Sequence, residues 1–93
     1  MRRIPRLTAR FLSRRQALGI ASGSAASAVT ATIAELIRSP LPGPEDFETL
    51  MPPVVQVWCR RVPGFNFWLF YNFSDAEVVV ITVTARPPIP LDK

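Results

Sequence analysis

Arginine is the residue type that dominates the chemistry available to this chain. The 93 residues include 11 Lys and Arg against 7 Asp and Glu, and Lys93 is the one lysine. A guanidinium fork matches the geometry of carboxylates and phosphates better than an ammonium group does. The arginines are also unevenly placed, because Glu35 is the first acid and these residues precede it: Arg2, Arg3, Arg6, Arg10, Arg14 and Arg15. This pattern predicts either a solvated basic face or a surface for an acidic partner or nucleic acid.

Other reactive residue types are scarce. Histidine is absent, which removes the commonest general base and the commonest metal ligand. Cys59 is the single cysteine, and its apolar, strand-like surroundings indicate a buried packing residue rather than a nucleophile. Four scattered glycines cannot build a nucleotide-binding glycine motif. We therefore expect no metal and no organic cofactor. We expect a protein that works by binding a macromolecular partner.

The N-terminal segment has two interpretations. Ser13-Arg14-Arg15-Gln16-Ala17-Leu18 resembles a twin-arginine export signal, and Ala26-Ser27-Ala28 would serve as its cleavage site. The apolar residues that follow instead recur on one helical face, as in a core-facing helix: Val29, Ile33, Leu36 and Ile37. Cleavage would also leave a strand cluster with no helix to cover it. We favour a cytoplasmic protein, with twin-arginine export as the alternative, and the apolar stretch is too short for a transmembrane helix.

The first 38 residues are predicted to form a short strand and two helices. Residues 1–11 alternate loosely, and Pro5 restricts them to an edge strand. Residues 12–38 are expected to form a helical hairpin. We place its first helix at about residues 12–21 with Ser13 as the cap, and its second at about 25–38 with Ser24 as the cap.

The remaining residues are predicted to form a sheet that follows a loop. Residues 39–53 are rich in proline and acidic, which predicts an extended surface loop without regular structure. Residues 54–86 contain three apolar runs separated by short turns, which predicts a three-stranded antiparallel meander. Residues 87–93 are a proline-rich tail. Helices followed by strands indicate a single α+β domain. The middle strand is apolar on both faces, so we expect a partner on the face away from the helices or at the sheet edge.

The C-terminal half resembles a known family. Residues 57–65, Val-Trp-Cys-Arg-Arg-Val-Pro-Gly-Phe, are similar to its second strand and turn, and residues 67–71, Phe-Trp-Leu-Phe-Tyr, to its next strand. Residues 78–83 match its valine-rich last strand. Ala85-Arg86, followed by Ile89-Pro90, lies where the family carries a terminal His-Gly-Ala-Arg-Asp-Ile-Pro signature. These segments resemble the ParE-type toxins, also called plasmid stabilisation proteins, of the RelE/ParE superfamily of toxin–antitoxin modules.

The chain departs from that family at several positions. The signature histidine, glycine and aspartate are replaced by Val83, Thr84 and Pro87, and the arginine after the Phe-Tyr pair is Asn72. The resemblance implies a helical hairpin packed on the meander. The departures concern toxic activity rather than fold, so a divergent or inactive copy is a further interpretation.

The resemblance implies one of two mechanisms. ParE-type members inhibit DNA gyrase by binding it, whereas RelE-type members cut messenger RNA on the ribosome with a cluster of basic side chains. Here Arg61, Tyr71 and Arg86 are the catalytic candidates, and Arg60 is a further arginine nearby. Neighbouring residues of a strand point to opposite faces, so only one of Arg60 and Arg61 can lie beside Arg86. Because histidine is absent, we favour a gyrase-inhibitor-like binder, with a RelE-like ribosome-dependent endoribonuclease as the alternative.

The resemblance also implies a cognate antitoxin. An arginine-rich, apolar surface suits an acidic amphipathic peptide that orders on binding. The first helix and the sheet edge are our candidate surface, and a homodimer is a further use for exposed apolar area. We expect no membrane partner. The candidate partner-binding residues are Arg10, Arg14, Arg15, Trp58, Arg60, Trp68 and Arg86.

Overall fold

The computed structural model describes residues 2–51 and 55–91. The elements in chain order are β1 (Ile4–Leu7), α1 (Ala9–Ala17), α2 (Gly23–Arg38), β2 (Phe47–Met51), β3 (Val55–Arg61), β4 (Trp68–Phe73) and β5 (Glu77–Thr84). The strands form one sheet in the order β1-β5-β4-β3-β2. This architecture confirms the α+β class predicted from the sequence.

The first helix begins earlier than predicted because its cap lies at the end of β1. The Thr8 hydroxyl accepts a hydrogen bond from the Phe11 N–H at 3.1 Å, so Ser13 lies inside α1 and does not cap it. The helix ends at Ala17 and is followed by Gly19 with φ of 71°. The predicted range 12–21 was therefore wrong at both ends, because a glycine in left-handed backbone stops the helix.

The second helix closely follows the prediction. It begins at Gly23 instead of residue 25, so Ser24 lies within the helix, and the cap position is Ser22. The Ser22 side chain makes no capping hydrogen bond. The predicted end of the helix before Pro40 is confirmed, since Ser39 at the cap is extended with ψ of 154°.

The sheet has more strands than the predicted meander. β3, β4 and β5 are consecutive antiparallel strands, which confirms the meander itself. β2 lies inside the segment 39–53, where we predicted only loop, and pairs antiparallel with β3. That prediction was wrong because prolines flank β2 but none falls within it, so its backbone donors are intact. Residues 52–54 lie outside the described residues.

β1 is an edge strand, as predicted, and pairs in parallel with β5 from Ile4 opposite Glu77 to Leu7 opposite Val80. Its edge position explains why Pro5 is tolerated, because an edge strand needs ladder donors on one side only. The exposed Arg6 side chain pairs with Glu77 at 2.9 Å.

The main core lies between the helices and one face of the sheet. Its buried members come from α1, from the loop after it, from α2 and from β4, β5 and the residue after β3: Phe11, Ile20, Val29, Leu36, Val62, Leu69, Tyr71, Val78, Val80 and Val83. A second cluster lies on the opposite face and contains Met51, Val57, Cys59 and Phe70. We call that side of the sheet, which carries no helix, the open face. The middle strand is thus covered on both sides, as its apolar pattern predicts.

The segment that resembles an export signal forms part of the folded domain. Arg14 and Arg15 belong to α1, and the same helix buries Phe11 completely in the main core. Cleavage after Ala28 would remove β1, α1 and the first turn of α2. The segment therefore serves as a structural element here. Among residues 2–51 and 55–91, no helix has the length and apolar character needed to cross a membrane.

Candidate functional site

The two neighbouring arginines of β3 lie on opposite faces of the sheet, as the strand geometry predicts. Arg60 is on the helix side, where its side chain is 8% exposed. Arg61 is exposed and stands opposite Trp68 of β4. Only Arg61 is therefore available to join Arg86 in a site on the open face.

Asp46 organises a buried polar cluster on the helix side of the sheet. Its carboxylate has no exposed surface and accepts two hydrogen bonds from Arg60, from Nε at 2.7 Å and from Nη2 at 2.9 Å. It also accepts hydrogen bonds from the Tyr71 hydroxyl and from the Gly43 N–H. A Cβ at Gly43 would collide with the Arg60 guanidinium, so glycine is needed there. The cluster fastens the loop before β2 to β3 and β4.

The electrostatics of this cluster fix the protonation of Tyr71. Burial raises the pKa of the phenol, and the adjacent Asp46 carboxylate, which accepts its hydrogen bond, raises that pKa further. Burial would lower the pKa of Arg60, but the hydrogen bonds and charge of Asp46 outweigh it and raise the pKa overall. Tyr71 thus keeps its proton and Arg60 keeps its charge near neutral pH. The Tyr71 and Arg60 side chains therefore serve to hold the fold together.

Arg61 and Trp68 lie together at one end of the open face, and Arg86 follows the end of β5 beside them in the sheet order; we call these three residues the open-face end. Trp68 is the strand partner of Arg61 on one side and of Thr84 on the other. Arg86 follows Thr84 by two residues, is exposed, and its N–H donates to the Thr84 hydroxyl at 3.1 Å. The Arg61 guanidinium carbon lies 5.9 Å from the centre of the Trp68 ring. The group therefore combines a partly exposed aromatic ring with two exposed cations.

The hairpin between β3 and β4 positions Arg61. The Val62 N–H donates to the Phe67 carbonyl at 2.8 Å, and Gly64 takes the left-handed conformation, with φ of 82°, that the predicted Pro-Gly turn requires. Arg61 then donates from Nε to the Phe65 carbonyl at 3.1 Å and from Nη2 to Asn66 Oδ1 at 3.0 Å. These two bonds orient the guanidinium along the turn and over Trp68.

The residues predicted for catalysis and partner binding divide among separate places. Tyr71 lies in the helix-side core and does not meet Arg61 and Arg86. Arg10 and Arg14 are exposed on α1, whose first turn contains no acid, while Arg15 lies over the Phe11 ring at 5.9 Å. Trp58 is partly buried on the helix side, next to Tyr71, and Arg60 is bound to Asp46 instead of being presented to a partner. Sequence reasoning missed Asp46 altogether.

Cys59 is a packing residue, as its sequence context indicates. It has no exposed surface, and its thiol lies 3.2 Å from the Phe47 carbonyl. Burial raises the pKa of Cys59 to about 12, so the thiolate is suppressed at neutral pH. Within the described parts of the chain, no cluster of three or more His, Cys, Asp or Glu side chains is arranged to hold a metal ion.

The fold has a counterpart among solved structures. The crystal structure of YafQ from E. coli strain BL21(DE3) superimposes with a TM-score of 0.64 over 87% of this chain and 90% of that chain, at 15% sequence identity. No family model matches the sequence, and no curated protein matches it. The likeness shows that this chain has a RelE-like α+β fold, the fold of YafQ.

Proposed function

We propose that the chain is the toxin of a type II toxin–antitoxin module and that it acts on messenger RNA at the ribosome. The observation that carries the proposal is the open-face end, where the exposed Arg61 lies over the Trp68 ring and the exposed Arg86 comes two residues after Thr84, the strand partner of Trp68. Among the described residues, no acidic side chain forms an ion pair with Arg61 or Arg86. Arginine forks bind phosphates, and an exposed aromatic face stacks unpaired bases, so the group suits single-stranded RNA.

The fold supports the same assignment. YafQ is a RelE-family toxin and a ribosome-dependent mRNA endoribonuclease, which favours the ribonuclease alternative over the gyrase-binding one. In that role Arg61 and Arg86 would neutralise the charge that develops on the scissile phosphate. Trp68 would hold the neighbouring base and so fix the phosphate between the two cations.

A reconstituted translation reaction tests this proposal. Purified chain, ribosomes and a defined messenger are mixed, and cleavage is mapped by primer extension. We expect cleavage only when ribosomes are present. Arg61→Ala and Arg86→Ala should each lower the cleavage rate about 10-fold or more, because each removes a group that stabilises the charge developing in the transition state. Arg38→Ala is the control of equal charge, because Arg38 is exposed on α2 and paired with Glu35 at 2.9 Å. Equal cleavage by all four proteins, or none by the wild type, would contradict the proposal.

A target-binding inhibitor of the gyrase-inhibitor type is the second candidate. One observation favours it: Tyr71, one of the three catalytic candidates, is buried in the Asp46 cluster. The open-face end then offers charge and stacking but no evident general acid or base. A DNA supercoiling assay separates the two candidates, since an inhibitor blocks gyrase without cutting RNA.

A cognate antitoxin is the partner that follows from either candidate, and we place it on α1. Arg10 and Arg14 are exposed one helical turn apart on one face of α1. An acidic segment of the antitoxin would match these two charges. Co-expression with the cognate antitoxin should restore growth, and Arg10→Glu with Arg14→Glu should weaken that rescue. We expect the toxin to act in the cytoplasm, where its targets are.

A further inference from the structure

The tail after β5 crosses the open face as a strap. The Thr49 hydroxyl donates to the Ile89 carbonyl at 2.7 Å, the Leu91 N–H donates to the Glu48 carbonyl at 2.9 Å, and Pro90 forms an isolated bridge with Thr49. Thr49 and Glu48 belong to β2, which is separated from β5 by β4 and β3. Residues 86–91, which we call the strap, therefore pass over both of these strands.

The strap covers Phe70. A space of about 350 Å³ separates them, lined by strap residues 88–91 together with Thr49, Leu50 and Phe70. Phe70 is 9% exposed, although it lies on the face that carries no helix. Trp68, two residues earlier on the same face of β4, is only partly buried. Phe70 packs against Met51, Val57 and Cys59, and the strap passes over the space that remains above it.

The strap is held by few contacts. Its Ile89 side chain is 81% exposed and so adds little to the apolar cluster below. The two hydrogen bonds to Thr49 and Glu48 tie the described part of the strap to β2. A segment with so little buried apolar surface opens at a small fraction of the free energy of global unfolding.

We propose that Phe70 is a second base-stacking position for single-stranded RNA, and that the strap covers it until RNA enters the open face. This inference rests on the proposed function. Trp68 and Phe70 are two residues apart on one strand, about 7 Å, and project from the same face. Aromatic side chains spaced along a sheet in this way stack neighbouring bases of an unpaired strand. With the strap closed, only Trp68 is accessible.

Movement of the strap is measured without RNA, through the alkylation rate of Cys59. Cys59 is the strand partner of Phe70, lies on the open face and is fully buried. Thr49→Val removes the hydroxyl donor with little change in volume, and Leu91→Pro removes the backbone donor. We expect each to raise the alkylation rate about fivefold, the factor that one net hydrogen bond contributes. Thr30→Val, exposed on α2, is the matched control and should leave the rate unchanged.

Binding of a fluorescein-labelled single-stranded oligouridine, followed by anisotropy, tests the RNA position. Thr49→Val and Leu91→Pro should bind about fivefold more tightly than the wild type, in proportion to their alkylation rates. Phe70→Leu in the Leu91→Pro background should abolish that gain, while Phe70→Tyr should keep it.

Each contrary result identifies what has failed. An unchanged alkylation rate in both variants would show that these bonds do not hold a cover, which overturns the proposal. Faster alkylation with unchanged RNA affinity would assign the uncovered face to a protein partner, which also overturns it. If the wild type binds oligouridine through Arg61 and Trp68 but Phe70→Leu has no effect, the strap inference fails and the proposed function stands. If no variant binds oligouridine, the strap inference fails, while the proposed function is still decided by the ribosome-dependent cleavage reaction.

Discussion

Replacing Asp46 by alanine should destabilise the fold more than any other single change of a charged side chain in the described residues. The substitution leaves the Arg60 charge 8% exposed and without its buried partner, and it removes the acceptor for the Tyr71 hydroxyl. Tyr71 is fully buried, and Arg60 is nearly so although it lines an open cavity beside α2, so loss of the carboxylate leaves both groups without their buried partner.

The expected cost follows from these two losses. Truncating one member of a buried ion pair costs about 3–5 kcal/mol, and leaving a buried hydroxyl unsatisfied costs about 1–3 kcal/mol more. We therefore expect a loss of at least about 4 kcal/mol, against a total of about 5–15 kcal/mol for a typical domain. At about 4–8 °C per kcal/mol, the melting temperature should fall by roughly 20 °C.

Urea unfolding followed by tryptophan fluorescence measures this cost, and Glu45→Ala is the matched control. Glu45 also faces Arg60, but at 3.9 Å and with 68% of its side chain exposed, so its removal should cost under about 0.5 kcal/mol. Adding Arg60→Met to Asp46→Ala should restore about 2 kcal/mol, because the unpaired charge is then gone. A cost for Asp46→Ala no larger than that of Glu45→Ala would refute the buried cluster.

Three further changes test the fold around the site. Thr8→Ala should cost about 1–2 kcal/mol in urea unfolding because the hydroxyl caps α1, whereas Ser22→Ala should cost almost nothing because that side chain makes no capping bond. Gly43→Ala should cost about 1–3 kcal/mol, and the cost should shrink in the Arg60→Met background, where the colliding guanidinium is absent. Burial raises the pKa of the Cys59 thiol from its ordinary value of 9.0 to about 12. The free energy of unfolding should therefore fall by about 1.4 kcal/mol per pH unit as the pH rises from 9 toward 12, and should fall less steeply in Cys59→Ala.

The sequence predicts those features that depend on the alternation of side chains along a strand or on the residues of a short turn. The opposite orientation of Arg60 and Arg61, the three meander strands and the Pro63-Gly64 turn all follow from residue period and turn chemistry. The α+β class follows from the order of the elements. Arg86 was singled out only through the family resemblance.

The features that were missed depend on contacts between distant residues. Asp46 lies 14 residues from Arg60 and 25 from Tyr71, so nothing in its local sequence marks it as buried. β2 was not predicted because the prolines around it dominate the composition of residues 39–53. The path of the strap is set by its bonds to Thr49 and Glu48, about 40 residues away in the chain.

Induced expression in bacteria, with growth recorded and transcript 5′ ends mapped in the same culture, tests the central claim most directly. The account predicts growth arrest together with new 5′ ends inside translated messages. It also predicts that Arg61→Ala with Arg86→Ala loses both effects, while Arg38→Ala, of nearly equal charge, keeps them. Growth arrest with intact transcripts and relaxed plasmid DNA would contradict the assignment to messenger RNA and favour the gyrase inhibitor.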